Sequence, residues 1–255
     1  MRREVFKVDN YIHVYNRGNR KAEIVRAVTD KWRFLQALRF FNDSHSSQNI
    51  LRQVVKSLSV SDTDSTDNTD RLSFFDFESV FKTGWPPNWP EKDPLVKILS
   101  YCLMPNHFHL LLKEIREGGI SKFMQKLGIG YTNYFNLKYQ EVGKVFQGAY
   151  KAKLVNEEMY LKYLCIYIQV INVLELFPGG VKRALKNFKD AMNFVDDYSF
   201  SSHLDYAGLR RSLIIDKDVL GELFSTPEDY RKFVYDSVIS KNFYQILEKK
   251  DLSLE

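Results

Sequence analysis

One stretch of the sequence combines two predicted strands, a tight turn and a pair of histidines: residues 101–112, Tyr-Cys-Leu-Met-Pro-Asn-His-Phe-His-Leu-Leu-Leu. Pro105 and Asn106 are typical turn residues, because proline fixes φ and asparagine tolerates tight turns. Alternate residues of a strand point to the same face, so His107 and His109 should lie side by side, about 6–7 Å apart along the strand. Two imidazoles at that spacing can share one metal ion, although most strand histidines only form a polar face.

Size and composition predict a globular protein of one elaborated domain or two small ones, because 44% of the 255 residues are hydrophobic. We find no apolar run of the roughly 18 residues that a membrane-spanning helix needs, and residues 1–5 lack the apolar core of a signal peptide. Cys102 and Cys165 lie in apolar runs, which predicts buried free thiols and a cytoplasmic protein. The net charge of +5 is compatible with a polyanionic partner.

The predicted elements follow the order β-α-β-β-α-β-α. The strands are expected at 11–16, 95–103, 107–113 and 150–155, and the helices at 29–42, at 121–139 and from the N-cap Asn156 to Pro178. This is the split βαβ order, so the predicted fold class is α+β: a ferredoxin-like antiparallel sheet with helices on one face, plus a helical C-terminal extension.

Two regions lie outside that order. A Ser/Asp/Thr tract at 57–70 and a proline-rich segment at 84–94 predict a mobile insertion over about 50–94, without an ordinary helix or inner strand. We therefore expect one domain over residues 1–177 and a helical extension over 178–255. Within the extension, 181–195 is predicted as one basic amphipathic helix, and Thr226-Pro227 as the start of another helix.

The helix after the fourth strand contains Tyr167, a candidate partner for the histidine pair. A tyrosine hydroxyl has an ordinary pKa near 10, so it needs a metal or a base to become a nucleophile. Attack on a phosphodiester would give a phosphotyrosine that preserves the bond energy for rejoining. Tyr131 and Tyr134 on the preceding helix are competing tyrosines, for which we expect packing or DNA stacking. Tyr163, one turn before Tyr167, is interpreted as a core residue.

Several longer motifs occur between residues 11 and 208, outside the insertion. They are Tyr-Ile-His-Val-Tyr-Asn-Arg-Gly at 11–18, Met-Pro-Asn-His-Phe-His-Leu-Leu at 104–111, Gly-Gly-Ile-Ser-Lys-Phe-Met-Gln-Lys-Leu at 118–127, Tyr-Thr-Asn-Tyr-Phe-Asn at 131–136, Val-Phe-Gln-Gly-Ala-Tyr-Lys-Ala at 145–152, and a looser match at 198–206. With these motifs the chain resembles the HUH single-strand DNA transposases, especially the REP-associated tyrosine transposases.

The resemblance implies a metal-dependent endonuclease and strand transferase that nicks single-stranded, hairpin-containing DNA through a 5′-phosphotyrosine intermediate. His107 and His109 would be ligands of a divalent ion, Mg²⁺ or Mn²⁺, and Tyr167 the nucleophile. The expected partner is single-stranded or hairpin DNA, and no membrane is expected to be involved. The expected location is the cytoplasm, with association to the nucleoid when the protein is bound to DNA. Whether the chain acts as a monomer or a homodimer stays open.

The tyrosine helix departs from the family pattern, which has an amide residue four positions after the tyrosine. Ile171 stands there, whereas Asn172 follows at the fifth position and Gln169 lies at the second. One hypothesis is a π-bulge, which accommodates one extra residue and would return Tyr167 and Asn172 to one face. The alternatives are a decayed relative that binds hairpin DNA without cleaving it, or an RNA-binding module with aromatic residues on its sheet.

Candidate DNA contacts are polar or basic residues near the predicted strand ends and on the second helix. They are Asn16, Arg17, Lys122, Lys126, Gln147, Lys151 and Lys153, each of which has the alternative of an ordinary solvated side chain. A basic cluster at 182–189 has the same two interpretations. His13, on the first strand, is either a polar residue near the metal or a simple sheet histidine.

Overall fold

A four-stranded antiparallel sheet forms the centre of the protein, with its strands in the order β2-β3-β1-β4. The computed structural model describes residues 6–45, 85 and 89–240, so the tract at 57–70 and most of the predicted insertion lie outside the described residues. The strands are β1 (Tyr11–Arg17), β2 (Val96–Leu103), β3 (His107–Glu114) and β4 (Lys151–Val155).

Two helices cover one face of this sheet: α1 (Val28–Phe40) and α2 (Gly119–Tyr139). They pack on alternate apolar residues of the strands, such as Val14 of β1 and Leu110 of β3. The chain order β1-α1-β2-β3-α2-β4 and the spatial order of the strands are those of a ferredoxin-like unit, so the predicted α+β class is confirmed.

The opposite face of the sheet is also covered, which the expectation of helices on one face did not include. A second apolar cluster joins Leu99, Cys102 and Leu111 of the sheet to the later helices. These are α3 (Glu158–Glu175), α4 (Gly180–Lys186), α5 (Phe188–Asp196), α6 (His203–Tyr206), α7 (Val219–Leu223) and α8 (Pro227–Ile239). The physical reason is that β2 and β3 are apolar on both faces, and each apolar face must be removed from water.

The register of β1 against β3 brings the first strand to the histidine pair. Tyr15 is paired with His109, and Arg17 with His107. Directly after Arg17 the chain turns away at Gly18, where an added Cβ would lie 1.9 Å from the carbonyl oxygen of Ala22. Only glycine allows this close approach of two backbone segments.

The C-terminal extension is attached to the free edge of β2. The backbone N–H of Leu103 donates to Phe200 O, and that of Ser202 donates to Tyr101 O, both at 3.0 Å. These bonds satisfy backbone groups that a bare edge strand would leave unpaired. The extension therefore continues the sheet for a short distance between its helices α5 and α6.

Local details of the helices differ from expectation in two places. The tyrosine helix begins after Glu157 without a side-chain cap, so Asn156 is not its N-cap. The predicted helix at 181–195 is split into α4 and α5, because Asn187 between them adopts a non-helical backbone with φ −125° and ψ 56°. The start of α8 is as predicted, with the Thr226 side chain accepting from the backbone N–H of Asp229.

Two expectations from composition can be compared with the described residues. Cys102 and Cys165 are buried free thiols, as predicted. No single helix of the described ranges is long and apolar enough to cross a membrane, although the bent pair Glu158–Glu175 and Gly180–Lys186, at 101°, passes that test jointly.

Candidate active site

His107 and His109 are the first and third residues of β3, next to the turn that precedes this strand. His109 is fully buried and His107 is 8% exposed. Their ring centroids lie 5.2 Å apart, with the ring planes nearly perpendicular at 89°. The strand therefore holds both imidazoles on one face, as its alternation predicts.

Each ring has one nitrogen that is engaged and one that is not. His107 Nδ1 lies 2.7 Å from Asn106 Oδ1, an acceptor, so Nδ1 carries the hydrogen. His109 Nδ1 lies 2.8 Å from His13 Nε2, an arrangement in which the His109 N–H can donate to the second imidazole. Both Nε2 atoms are buried and have no hydrogen-bond partner. Metal-binding histidines have this same pattern, since an outer acceptor fixes the tautomer and leaves the other nitrogen free.

The environment keeps all three imidazoles neutral. Burial, together with the charge of Arg17, lowers the pKa of His107 to about 4. Burial and Lys153 lower the pKa of His13 to about 3. The pKa of His109 is lowered well below its ordinary value by burial and by its two histidine neighbours. A neutral imidazole is the form that binds metal ions.

The hypothesised π-bulge is present in helix α3. Residues Tyr167–Ile171 form a π-helical segment between two α-helical segments, and the backbone N–H of Asn172 donates to Tyr167 O. A π-turn contains one residue more than an α-turn. The extra residue of this sequence is therefore absorbed between Tyr167 and Asn172.

Asn172 lies beside His107, with its amide oxygen unbonded. Its Nδ2 donates to the carbonyl oxygens of Tyr167 and Ile168, at 3.1 and 3.3 Å, which fixes the orientation of the amide. The amide is close enough to His107 to act in the direction of a higher pKa, against burial and the charge of Arg17, which lower the pKa. No well-aligned hydrogen bond joins the two, since Asn172 Oδ1 and His107 Nε2 are both buried atoms without a hydrogen-bond partner.

Tyr167 packs directly on the histidine pair. Its ring lies edge-on to that of His109, with 5.5 Å between centroids. The side chain is 7% exposed, and burial, followed by the negative charge of Glu175, raises the pKa of its hydroxyl. The hydroxyl is therefore protonated and weakly nucleophilic in the protein alone.

Gln169, the alternative ligand in the same helix, has both amide atoms engaged elsewhere. Its Oε1 accepts from the hydroxyl of Tyr230, and its Nε2 donates to Ser202 Oγ. The geometry therefore favours Asn172 over Gln169 as a third donor.

Three of the candidate DNA contacts lie on the histidine face. Arg17 pairs with His107 across the sheet, and its Nε is a buried atom without a hydrogen-bond partner. Lys151 and Lys153 of β4 pair with Tyr15 and His13, and the Lys151 ammonium lies 5.7 Å from the centroid of the Tyr15 ring. These cations form a positive rim beside the imidazoles.

The other candidate contacts lie elsewhere. Lys122 and Lys126 extend from α2 to the carbonyl oxygens of residues 43–45, on the side of the sheet that α1 and α2 cover, away from the histidines. Asn16 donates to Gly148 O and lines a groove of about 450 Å³ beside α2. Gln147 is exposed, and its backbone N–H donates to Arg17 O, which puts it at the edge of the site.

The competing tyrosines are not brought to the histidines. Tyr131 donates to Ile24 O, and Tyr134 donates to Asp30 Oδ1, both on the α1–α2 side. Tyr163 stacks on Phe233. Their packing roles agree with the expectation from sequence.

Two further residues of β1 contact the histidine pair: His13, for which the sequence left two interpretations open, and Tyr15, which the sequence did not assign to the site. His13 contacts His109 directly, and the Tyr15 ring stacks on His109 with 5.6 Å between centroids. The alternation of β1 put His13, Tyr15 and Arg17 on one face, but only the pairing of β1 with β3 shows that this is the histidine face.

Whether a divalent ion fits here depends on which side-chain atoms could bind it. Among the described residues, no three His, Cys, Asp or Glu side chains are grouped to hold a metal. The set here has two imidazole nitrogens and one amide oxygen, His107 Nε2, His109 Nε2 and Asn172 Oδ1, and all three are buried and unpartnered. Buried polar atoms are rarely left unsatisfied, so these residues fit an ion that completes its coordination with water.

Comparison with known proteins gives one family match. Residues 91–170 match the family described as "Transposase IS200 like". A solved structure, described as a REP-associated tyrosine transposase bound to a REP hairpin, aligns with 82% of this chain over 87% of its own length, with 14% identity and a TM-score of 0.38. No curated protein matches the chain. The matched segment, about a third of the chain, contains both histidines and Tyr167.

Proposed function

We propose that the protein is a metal-dependent, single-stranded DNA endonuclease and strand transferase that acts on hairpin-containing DNA. The observation that carries the proposal is the group of three buried, unpartnered atoms, His107 Nε2, His109 Nε2 and Asn172 Oδ1, beside the Tyr167 ring. The similarity of residues 91–170 to the IS200-like transposases supports a DNA substrate. The rim of Arg17, Lys151 and Lys153 supports a polyanionic one.

His107, His109 and Asn172 would hold the divalent ion, for which Mg²⁺ and Mn²⁺ are the candidates. When bound, such an ion polarises a phosphoryl oxygen as a Lewis acid. The chain itself fixes the donors: Asn106 and His13 hold the two imidazole rings, and the π-turn fixes the amide. Arg17, whose Nε is unpartnered beside His107, would bind the scissile phosphate.

In the proposed reaction the Tyr167 oxygen attacks the scissile phosphorus. A Tyr–O–P bond forms while the P–O3′ bond breaks, the tyrosine loses its proton, and the 3′ oxygen leaves as a hydroxyl. The product is a 5′-phosphotyrosine and a free 3′ end, and the reverse reaction with another 3′ hydroxyl rejoins the strand. No oxidant or energy donor is consumed.

The decisive experiment measures covalent attachment. Wild-type protein, incubated with end-labelled single-stranded hairpin DNA and Mn²⁺, should give an adduct that resists denaturing electrophoresis. Tyr167→Phe and His107→Ala should both abolish it. Tyr163→Phe, one turn earlier on the same helix and stacked on Phe233, is the matched control and should retain it. An adduct that persists in Tyr167→Phe would reject the assignment of the nucleophile.

A second candidate is a relative that binds hairpin DNA without cutting it. It is favoured by the burial of Tyr167 and the raised pKa of its hydroxyl. Tight DNA binding without any adduct, under all metal conditions, would support it. We do not propose the RNA-binding alternative, because the sheet face that it needs is covered by α3 and the later helices.

A further inference from the structure

The π-turn of the tyrosine helix is joined to the C-terminal helices by a buried polar network centred on Gln169. Its Oε1 accepts from the Tyr230 hydroxyl of α8 at 2.6 Å, and its Nε2 donates to Ser202 Oγ at 3.0 Å. The Gln169 carbonyl oxygen accepts from Ser201 Oγ at 2.8 Å. Gln169, Tyr230, Ser201 and Ser202 are all fully buried, so these bonds are not exchanged with water.

The network continues from Tyr230 to the surface. The same hydroxyl lies 2.8 Å from His203 Nδ1, and His203 Nε2 lies 2.8 Å from Asp196 Oδ1. Asp196 is 28% exposed and is flanked by Arg231. At its other end Ser202 accepts from the backbone N–H of Tyr101 in β2. Gln169 is therefore fixed both to the sheet and to α8.

This connection bears on the register of the helix. Gln169 lies in the π-turn, between Tyr167 and Asn172. If the segment returned to ordinary α-helical geometry, Ile171 would take the position one turn after Tyr167, and Asn172 would rotate by about 100°. π-turns are rare as isolated structures and need support from their surroundings. The hydrogen bonds of Gln169 hold this turn from outside the helix.

We propose that Tyr230 and Gln169 are positioning residues that hold the π register, and so present Asn172 together with Tyr167 to the histidine pair. The C-terminal helices are then part of the working site rather than an appendage. The link to metal binding and cleavage rests on the proposed function, but the effect on the helix register does not.

The first test compares two tyrosines that each lose one buried hydroxyl. Tyr230→Phe removes the bond to Gln169, whereas the control Tyr206→Phe removes a hydroxyl that donates to Leu99 O in the same apolar cluster. Hydrogen–deuterium exchange, read by mass spectrometry on peptides over 164–176 and 119–139, reports local opening. We expect Tyr230→Phe to raise exchange at least threefold over 164–176 and to leave 119–139 unchanged. Equal exchange in the two variants would overturn the proposal.

The second test asks whether Tyr230 and Gln169 act through one bond. Gln169→Met removes that bond from the other side, so the Tyr230→Phe/Gln169→Met double variant should be no worse than the poorer single variant. The pair Tyr206→Phe/Gln169→Met should be additive. Additivity in both pairs, in exchange over 164–176, would contradict a shared role.

The third measurement connects register to the site, by titrating Mn²⁺ alone against each variant and following its electron paramagnetic resonance signal. We expect Tyr230→Phe to weaken Mn²⁺ binding about tenfold and Tyr206→Phe to leave it unchanged. If wild type binds no Mn²⁺ but Tyr230→Phe still loosens 164–176, the proposed function fails and the positioning role stands. If Mn²⁺ binds and exchange is unchanged, the reverse holds.

Discussion

Asn172 Nδ2 donates to the carbonyl oxygen of Tyr167 at 3.1 Å, five residues earlier in the chain. The candidate ligand is thus anchored to the backbone of the candidate nucleophile, across the π-turn that separates them. A shift of the Tyr167 backbone would therefore also displace the Asn172 amide. The two groups form a single unit that faces the histidine pair.

Asn172→Ala should weaken Mn²⁺ binding by roughly tenfold or more, because it removes one of the three proposed donors and the bonds that anchor it. Isothermal titration with Mn²⁺ measures this directly. Asn187→Ala is the matched control, since Asn187 also donates from Nδ2 to a helix carbonyl, that of Arg183, but lies outside the site. Unchanged affinity in Asn172→Ala would remove Asn172 from the donor set.

His13→Phe should lower Mn²⁺ affinity about 10- to 100-fold, although His13 is not one of the proposed donors. The substitution removes the acceptor for His109 Nδ1, so the tautomer and orientation of that ring are no longer fixed. His45→Phe, at a half-exposed histidine bonded to Asp43, serves as the control. A His13→Phe protein with wild-type affinity would show that His13 has only a packing role.

Two pairs of lysines allow a test in which the change of net charge is the same. Lys151→Ala/Lys153→Ala removes cations from the histidine face, while Lys122→Ala/Lys126→Ala removes them from α2. The first pair should reduce the slope of log K against log salt for single-stranded DNA by about 1.4, the value for two lost phosphate contacts. The second pair should leave it unchanged, as measured by fluorescence anisotropy. A larger effect of the α2 pair would move the DNA path to the other face.

Because of Asp30, we expect the free energy of unfolding to fall at acid pH through a weaker contact between α1 and α2. Burial alone would raise the pKa of this carboxyl, but hydrogen bonds from Lys138, Tyr139 and backbone N–H groups outweigh it and lower the pKa. The folded state therefore binds its proton less readily than the unfolded state, and the stabilisation is present above the ordinary pKa of 3.8 and is lost as the pH falls below it.

Asp30→Asn should lower the free energy of unfolding by about 1–3 kcal/mol at pH 7, because the donors that bind the charged carboxylate would form weaker hydrogen bonds with a neutral amide. The difference from wild type should shrink as the pH falls below 4, which urea unfolding at several pH values will show. A pH-independent difference would mean that only the shape of the side chain matters.

The sequence alone led to the strands, the histidine pair and the tyrosine helix, because these depend on local periodicity and on turn residues such as Pro105 and Asn106. It also led to the π-turn as a hypothesis, since one extra residue between Tyr167 and Asn172 had to be accommodated somewhere. These inferences need only neighbours along the chain.

The parts that sequence reasoning left open or missed depend on contacts between distant residues. His13 meets His109 across 96 positions, and Tyr230 meets Gln169 across 61. Neither strand register nor the docking of α8 is encoded in a local pattern, because many pairings give the same alternation. The basic helix at 181–195 was predicted as continuous because nothing in its composition marks the bend at Asn187.

The position of β1 in the sheet sets a lower limit on any shortened version of this protein. The strand lies between β3 and β4, yet it comes first in the chain, some 80 residues before the segment that matches the family. A trimmed protein that kept only residues 91–170 would retain His107, His109 and Tyr167 while losing the strand that joins the two halves of the sheet. A shortened version should therefore keep the N-terminal strand, or receive it as a separate peptide that can pair with both neighbours.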